Sequence, residues 1–431
     1  MRHSFHLALC TLVRGRVLAL LLAAVALVHW LLPDFVRSDG TAAGALEMWV
    51  RAVPGVVDVI VLLVVLVVAC GLFAREREEK RLALTLVRPA HALGVAYGKW
   101  LALIAVAAVV LLCSSALTLL FPPASAASGL PPCRHHYEPT MPPAAEVAGH
   151  LLESYLADPQ TPEAVKKASR SAVLTLLTTK EIDRYDVVKP GASMIWPYGL
   201  EALQAKIDVG EPLALGVRFS TQFEMRAPVA GKLRLGPYMA VVSNTTQSVL
   251  EIPLKKVDGV SSEKDGRLDL VFDNTGKSAV MVRPRRDLVV LARADSFAWN
   301  LLRAQLEILA LAALLAAYGL FLSASLSRPV AVFTALVTFL IVLMAPRVVA
   351  QFPDEFNAEF ADRIGLALSR AVSAVTASVS APSPVSDLAT GKAIEWPDLG
   401  RLLLGNVFLF PFVLLALAAF VARRKALPDM D

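Results

Sequence analysis

Apolar residues gather into six long runs along this chain, at 17–32, 55–74, 100–121, 301–322, 330–344 and 402–421. About 20 apolar residues wound as a helix cross a hydrocarbon core of about 30 Å, so the runs predict roughly six transmembrane helices. Between the third and fourth runs the pattern changes. Val147, Leu151, Leu152 and Tyr155 recur at helical spacing, and Thr161-Pro162-Glu163 opens a second helix with a cap, a proline and an early acid. From Pro212 onward the period is two: Leu213, Leu215, Val217 and Phe219 alternate with Ala214, Gly216, Arg218 and Ser220. Similar short runs at 232–235, 238–242, 248–254, 267–272, 279–282 and 287–292 are separated by turn signals such as Gly236-Pro237 and Asp273-Asn274-Thr275-Gly276. Short alternating strands at this spacing predict a small β-sandwich.

Three segments follow from this pattern: 1–121 with the first three spans, 122–300 as an inserted α+β domain, and 301–431 with the last three. The stretch 122–143, rich in Pro, Ala and Ser, reads as a linker. Between the last two spans Phe356, Phe360, Ile364, Leu368, Val372, Val375 and Val379 follow one another at intervals of four or three. They predict an amphipathic helix over 356–379 that is too polar on its other faces to span alone.

Composition supports a membrane location, because 56% of the 431 residues are hydrophobic and only 18% charged. The mean hydropathy of +0.58 exceeds that of ordinary soluble domains. Short connections hold the positive charge. Arg2, Arg14 and Arg16 precede the first span, Arg75, Arg77, Lys80, Arg81, Arg88 and Lys99 lie between the second and third, Arg328 separates the fourth and fifth, and Arg423, Arg424 and Lys425 follow the sixth. With an even number of spans all four clusters share one side, the cytoplasmic one by the positive-inside rule. Both termini are then cytoplasmic, and 35–51, 122–300 and 347–401 face outward. Arg14 and Arg16 before an apolar run also suit a secretory signal, but no small-x-small cleavage site follows. An interfacial helix over 4–16, with its arginines near anionic lipid headgroups, is the expectation instead.

Catalytic signatures are scarce. The chain contains no HExxH, GxSxG or CxxC motif. Gly94-Val95-Ala96-Tyr97-Gly98-Lys99-Trp100 has three residues where a phosphate-binding loop needs four between its glycines, and Trp100 where a hydroxyl should ligate magnesium. No ATP hydrolysis by this chain is expected. Of the four cysteines only Cys133 falls in the outer segment, so no disulfide framework is expected there. Cys133-Arg134-His135-His136 suggests zinc or copper, yet ligands so close in sequence do not readily converge on one ion, and Pro131-Pro132 marks an irregular stalk. No metal site is expected. Among polar residues inside or beside the spans, Asp58, Arg303, Glu307 and Asn406 are candidates for a transport path. An Arg303–Glu307 pair one turn apart, or a bend at Asn406 and Pro411, would instead be structural.

The segment 75–99 is the clearest candidate for contact with a partner. Glu76, Arg77, Glu78, Glu79, Arg81 and Arg88 present both signs of charge, and Leu82, Leu84 and Leu86 can seat a short helix. Basic residues alone would fit an anionic lipid surface, but the interleaved acids would be repelled by it.

The run Glu76-Arg77-Glu78-Glu79, followed by Leu82, Leu84, Leu86, Arg88-Pro89 and then Gly98-Lys99, resembles the membrane subunits of ABC-2 type ABC transporters. The order of parts is also similar: an interfacial N-terminal helix, six spans, a short inner turn at Ser325-Leu326-Ser327-Arg328-Pro329, and an outer amphipathic helix before the last span. The resemblance implies an α-helical polytopic permease of a bacterial inner membrane, acting as a homo- or heterodimer and driven by a separate ATPase subunit that holds the ATP and magnesium. It also implies that Glu76, Arg77, Glu78, Glu79, Arg81, Leu84, Arg88 and Pro89 dock on that ATPase. This chain departs from the family where a Gly-Thr pair gives way to Lys80-Arg81 and an acid to Ala83, and in its large insertion between the third and fourth spans. The alternative is a membrane anchor that transports nothing and presents its β-rich domain for ligand binding or envelope assembly. Nucleic acid is not an expected partner of either.

Overall fold

The computed structural model describes residues 2–35, 42–79, 92–122, 130, 132–140, 144–158, 163–166, 170, 172–174, 176–178, 187–199, 203, 206, 212–219, 228–236, 238–245, 249–256, 267–282, 284, 288–351 and 384–426. Helices α1 (Arg2–Arg14), α2 (Val17–Phe35), α3 (Ala42–Glu78) and α4 (Ala92–Leu120) come first. An insertion follows, with strand β1 (Arg134–Tyr137), helices α5 (Ala144–Ala157) and α6 (Glu163–Lys166), and ten further strands. These are β2 (Val187–Val188), β3 (Ser193–Gly199), β4 (Leu213–Arg218), β5 (Pro228–Leu235), β6 (Tyr238–Thr245), β7 (Val249–Pro253), β8 (Lys255–Lys256), β9 (Arg267–Asn274), β10 (Val280–Met281) and β11 (Leu288–Arg293). Helices α7 (Phe297–Ser325), α8 (Arg328–Gln351), α9 (Pro384–Ala389) and α10 (Trp396–Leu403), a π-helical turn (Leu404–Leu409) and α11 (Phe410–Ala426) follow among the described residues. Two compact units result, one of 1–133 with 295–431 and one of 134–294.

The first unit is a polytopic helical membrane protein. Among the described residues five helices are long and apolar enough to span: Val17–Phe35, Ala45–Glu78, Ala92–Leu120, Phe297–Ser325 and Trp396–Lys425. The apolar stretch Arg328–Ile341 of α8 is shorter. Alanine makes α7 the central helix, since Ala304, Ala310, Ala312, Ala313, Ala316, Ala317 and Ala324 are buried and let neighbouring backbones come close. Approach is tightest at Gly319, where an added Cβ would lie 2.6 Å from Ala69 Cβ and 3.0 Å from the Leu66 carbonyl oxygen of α3. The buried Trp100 indole of α4 donates to the Ala313 carbonyl at 2.8 Å. Large apolar side chains such as Leu20, Trp30, Phe333, Phe408 and Phe420 remain exposed on the surface of this unit, as a lipid-facing surface requires.

Helix α3 begins well before the apolar run at 55–74. Much of 35–51 is helix, because α3 begins at Ala42 and runs through Pro54. Leu46, Trp49, Val50 and Val53, at helical spacing, pack on Phe297 and Leu301 of α7 and Leu388 of α9, and that burial holds the helix across the proline. The amphipathic segment expected over 356–379 lies outside the described residues.

The second unit is a mixed α/β domain with antiparallel sheets. One sheet has the order β1-β11-β4-β7, another β3-β9-β5-β6-β8, and β10 pairs with β2. Inward positions of both larger sheets contribute to one core, with Leu215, Val217 and Val290 from the first and Trp196, Leu233 and Phe272 from the second. Gly231 is required in β5 because a Cβ there would lie 2.3 Å from the Phe272 ring. At the end of β9, Asn274 Nδ2 donates to the Val188 and Ser278 carbonyls, both at 3.0 Å, and its Oδ1 accepts from Gly276 N–H at 3.0 Å. That turn therefore also ties down β2.

The linker expectation for 122–143 needs correction at its end. Arg134–Tyr137 is not a stalk but β1, in register with β11 so that His135 faces Ala292 and His136 faces Leu291. Strand β3 was also unforeseen.

Candidate functional site

Polar side chains inside the helical unit concentrate at its two ends. The first end carries the basic clusters. Glu76, at the last turn of α3, and Lys99, in the second turn of α4, form an ion pair at 2.5 Å with side-chain exposures of 23% and 5%. The same ammonium lies 3.9 Å from the centre of the Phe73 ring and donates to the Leu72 carbonyl at 3.4 Å. Arg77 donates to the Ala324 and Leu326 carbonyls at 3.2 and 2.6 Å, which ties α3 to the end of α7. Lys425 donates to the Ser325 carbonyl at 2.5 Å, and Ser323 Oγ accepts the Phe73 and Ala74 N–H groups, both at 2.9 Å. The Arg77 and Lys425 side chains thus serve carbonyls at the end of α7 that the helix itself leaves unsatisfied.

These contacts divide the residues expected to dock on a partner. Glu76 and Arg77 are engaged within the unit, and Glu79 forms an i,i+4 pair with Arg75 at 2.9 Å. Glu78 is exposed. Arg81, Leu84, Arg88 and Pro89 lie outside the described residues.

The opposite end holds a different set. Asp58 of α3 is 3% exposed, and counted along its helix it lies about 25 Å from Arg75. Neither carboxyl oxygen has a hydrogen-bond partner, and neither does Gln305 Oε1. The Gln305 side chain, on α7, is the polar group that reaches the Asp58 carboxyl, though outside full hydrogen-bond geometry. Asn406, on the π-helical turn, lies about 25 Å from Arg423 by the same count. It is fully buried with both amide atoms unpartnered. Pro411 has no N–H for the Val407 carbonyl, and the helical ladder widens into the π form just before it. On the remaining side His29 of α2 faces Thr118 of α4, Nε2 to Oγ1, at 3.2 Å.

Arg303 does not pair with Glu307 as the one-turn spacing suggested. Its guanidinium forms an ion pair with Asp295, donates to the Ile394 carbonyl at 3.1 Å and lies 4.7 Å from the centre of the Trp396 ring. Asp295 precedes the helix, outside the reach of any i,i+4 rule. Asn300 reinforces the same segment: its Nδ2 donates to the Lys392 carbonyl and its Oδ1 accepts the Ile394 N–H, both at 2.8 Å. Arg303 and Asn300 thus clamp residues 392–396 onto α7. Glu307 instead has the carboxylates of Asp387 and Asp398 as its charged neighbours. Burial raises the Asp387 pKa, against a smaller opposing effect of the Lys392 ammonium.

Cys133 is buried beside Arg303 and Asp295 rather than exposed, and burial pushes its thiol up to about 11. His135 and His136 belong to β1. Among the described residues no group of three His, Cys, Asp or Glu side chains is placed to hold a metal ion.

Sequence reasoning overlooked Gln305, Asn300 and Lys99 as a group. Gln305 and Asn300 carry no charge to draw notice, and Lys99 was counted with the basic cluster rather than as a buried partner of Glu76.

No family model, no curated protein sequence and no solved structure matches this chain.

Proposed function

We propose that this chain is the membrane-spanning permease subunit of an ABC-2 type transporter, an exporter in a bacterial inner membrane, coupled to a separate ATPase subunit that binds ATP and magnesium. The observation that carries this reading is the construction of the basic end. Glu76–Lys99 and the Arg77 contacts fasten the ends of α3, α4 and α7 together at the base of segment 75–99, so a force applied to that segment reaches three spans at once. Glu78 remains exposed beside it for a partner. In this reading both termini and the basic end are cytoplasmic, six spans cross the membrane, and the second unit is an outward-facing β-sandwich. A second permease copy and membrane lipid complete the assembly, and Asp58, Arg303, Glu307 and Asn406 belong to the outer part of the transport route.

The rival reading is a membrane anchor without transport activity, favoured by the separate apolar core of the second unit. Copurification of this chain from membranes, with identification of any bound ATPase, separates the two. Wild-type protein should retain the ATPase, and reversal of Glu78 and Glu79 to Lys should weaken the association, because like charges juxtaposed at an interface cost several kcal/mol. If the wild-type chain captures no ATPase, the anchor reading takes its place.

A further inference from the structure

At Asp58 of α3 both carboxyl oxygens are buried without a full hydrogen bond, and so is the Oε1 of Gln305 on α7, whose side chain reaches the carboxyl. Asp58 Oδ1, Asp58 Oδ2 and Gln305 Oε1 are all buried and unpartnered, and with Asp58 ionised all three are acceptors. An unpaired carboxylate inside a membrane protein is strongly disfavoured, because neither water nor a counter-ion offsets its lost hydration. One proton resolves the arrangement. A neutral carboxyl has an O–H that bonds Gln305 Oε1, and the Gln305 N–H groups can bond the other carboxyl oxygen, so the acid and the amide satisfy each other reciprocally.

We propose that Asp58 and Gln305 form a proton-binding site, in which the Asp58 carboxyl of α3 carries the proton and the Gln305 amide of α7 holds it. Binding converts a carboxylate and a hydronium ion into a carboxylic acid and water, with no other reactant. The titratable groups on surrounding elements do not supply an alternative counter-charge. Helix α7 brings Arg303, whose guanidinium pairs with Asp295 while its Nε is buried without a partner, and Glu307, whose charged neighbours are Asp387 and Asp398. Helix α2 brings Asp34 and also His29, which bonds the Val25 carbonyl and Thr118. Helix α4 brings Cys113 and helix α9 Asp387, while Lys99 and Arg328 lie at the basic end. On α3 itself Arg51 pairs with Glu47. Asp58 lies near the middle of α3 but close to the start of the apolar run at 55–74, away from the basic clusters, so its proton exchanges with solution from that side of the run. This proton site goes beyond the transport reading and does not depend on it.

The test uses the full-length protein in lipid nanodiscs, with protons as the probe. Infrared spectra at neutral pH should show the carbonyl stretch of a buried carboxylic acid. That band should be lost in Asp58→Asn and shifted to higher frequency in Gln305→Leu, where the hydrogen bond is removed. Asp58→Asn should fold, since an amide pairs with Gln305 as a neutral acid does. The thermal midpoint of the wild type should fall as pH is raised above neutral, and that of Asp58→Asn should not. Absence of the band from wild-type protein, its persistence in Asp58→Asn, or its failure to move in Gln305→Leu would each overturn the proposal. So would stabilisation of the wild type, but not of Asp58→Asn, by sodium chloride over choline chloride, which would make the ligand a metal cation.

Discussion

The two ends of the helical unit use similar residues to opposite effect. At the basic end Lys99, Arg77, Lys425 and Ser323 each reach a carboxylate, a carbonyl or a backbone N–H on a neighbouring helix. At the far end Asp58, Gln305 and Asn406 are as buried as Lys99 and Ser323, yet their oxygens find no donor. Burial alone therefore does not distinguish a structural polar group from one kept for another purpose. Satisfaction does, because a buried polar group without a partner costs stability that the fold has no packing reason to give up. By this criterion the basic end is a clamp and the far end a place for a ligand, a proton or a change of conformation. Arg303 and Asn300 are the far end's own clamp, one shell further out.

The sharpest break of this comparison is Lys99→Ala. If the basic end is a clamp, the substitution leaves Glu76 partly buried without its cation and removes the ammonium from Phe73 and the Leu72 carbonyl. Breaking a buried pair by removing one partner costs about 3 kcal/mol when water still reaches the survivor, and Glu76 is 23% exposed. Unfolding in mixed micelles should show this loss. The double variant Lys99→Met with Glu76→Gln should recover most of it, since no uncompensated charge remains. An unchanged Lys99→Ala would mean that the pair is a surface contact and that the two ends do not differ as described.

Much of this architecture was legible in the sequence where one physical rule dominates a segment. Strand β4 runs over Leu213–Arg218 as the alternation predicted, because its inward Leu213, Leu215 and Val217 contrast with outward small or charged residues. Strand β3 escaped for lack of that contrast. Trp196 and Tyr198 point inward, but the preceding Ile195 is apolar and 51% exposed, and Pro197 between them argues against a strand. In β1 the polar Arg134 and His135 after two prolines concealed a ladder whose partner, β11, is about 155 residues away. The candidate site was legible only in part for the same reason. Ionisable Asp58 stood out inside a span, whereas Gln305 acquires its meaning only when α7 packs on α3. Local spacing put Arg303 with Glu307. The actual partner, Asp295, comes from the entry to the helix, where chain direction and not helical period decides.

Arg303→Lys sharpens the comparison at the far end. Lysine keeps the charge but not the planar fork, so it cannot serve Asp295 and the Ile394 carbonyl together while lying over Trp396. A loss of about 2 kcal/mol is expected, in the range for hydrogen bonds to charged groups. Trp396 fluorescence should report the release of residues 392–396 before global unfolding. Wild-type stability together with unchanged fluorescence would show that Asn300 alone holds the segment.

Asp387 gives the smallest effect and the one with a definite sign. Its carboxyl is half-buried on α9, and burial raises its pKa in the folded protein even though Lys392 pulls the other way. The folded state therefore holds this proton more firmly than the unfolded chain does. Below the ordinary carboxylate range both states are protonated and the group's contribution is fully present. As pH rises from about 4 the unfolded chain ionises first, and the contribution is lost as pH passes through the raised folded value. Asp387→Asn cannot ionise and should lack that loss. Unfolding midpoints of the two proteins should coincide in acid and separate toward neutral pH, with the variant the more stable. A gap that opened in the other direction would mean that the Lys392 ammonium outweighs burial and that Asp387 belongs with the satisfied charges of the basic end, not with the strained polar groups around Asp58.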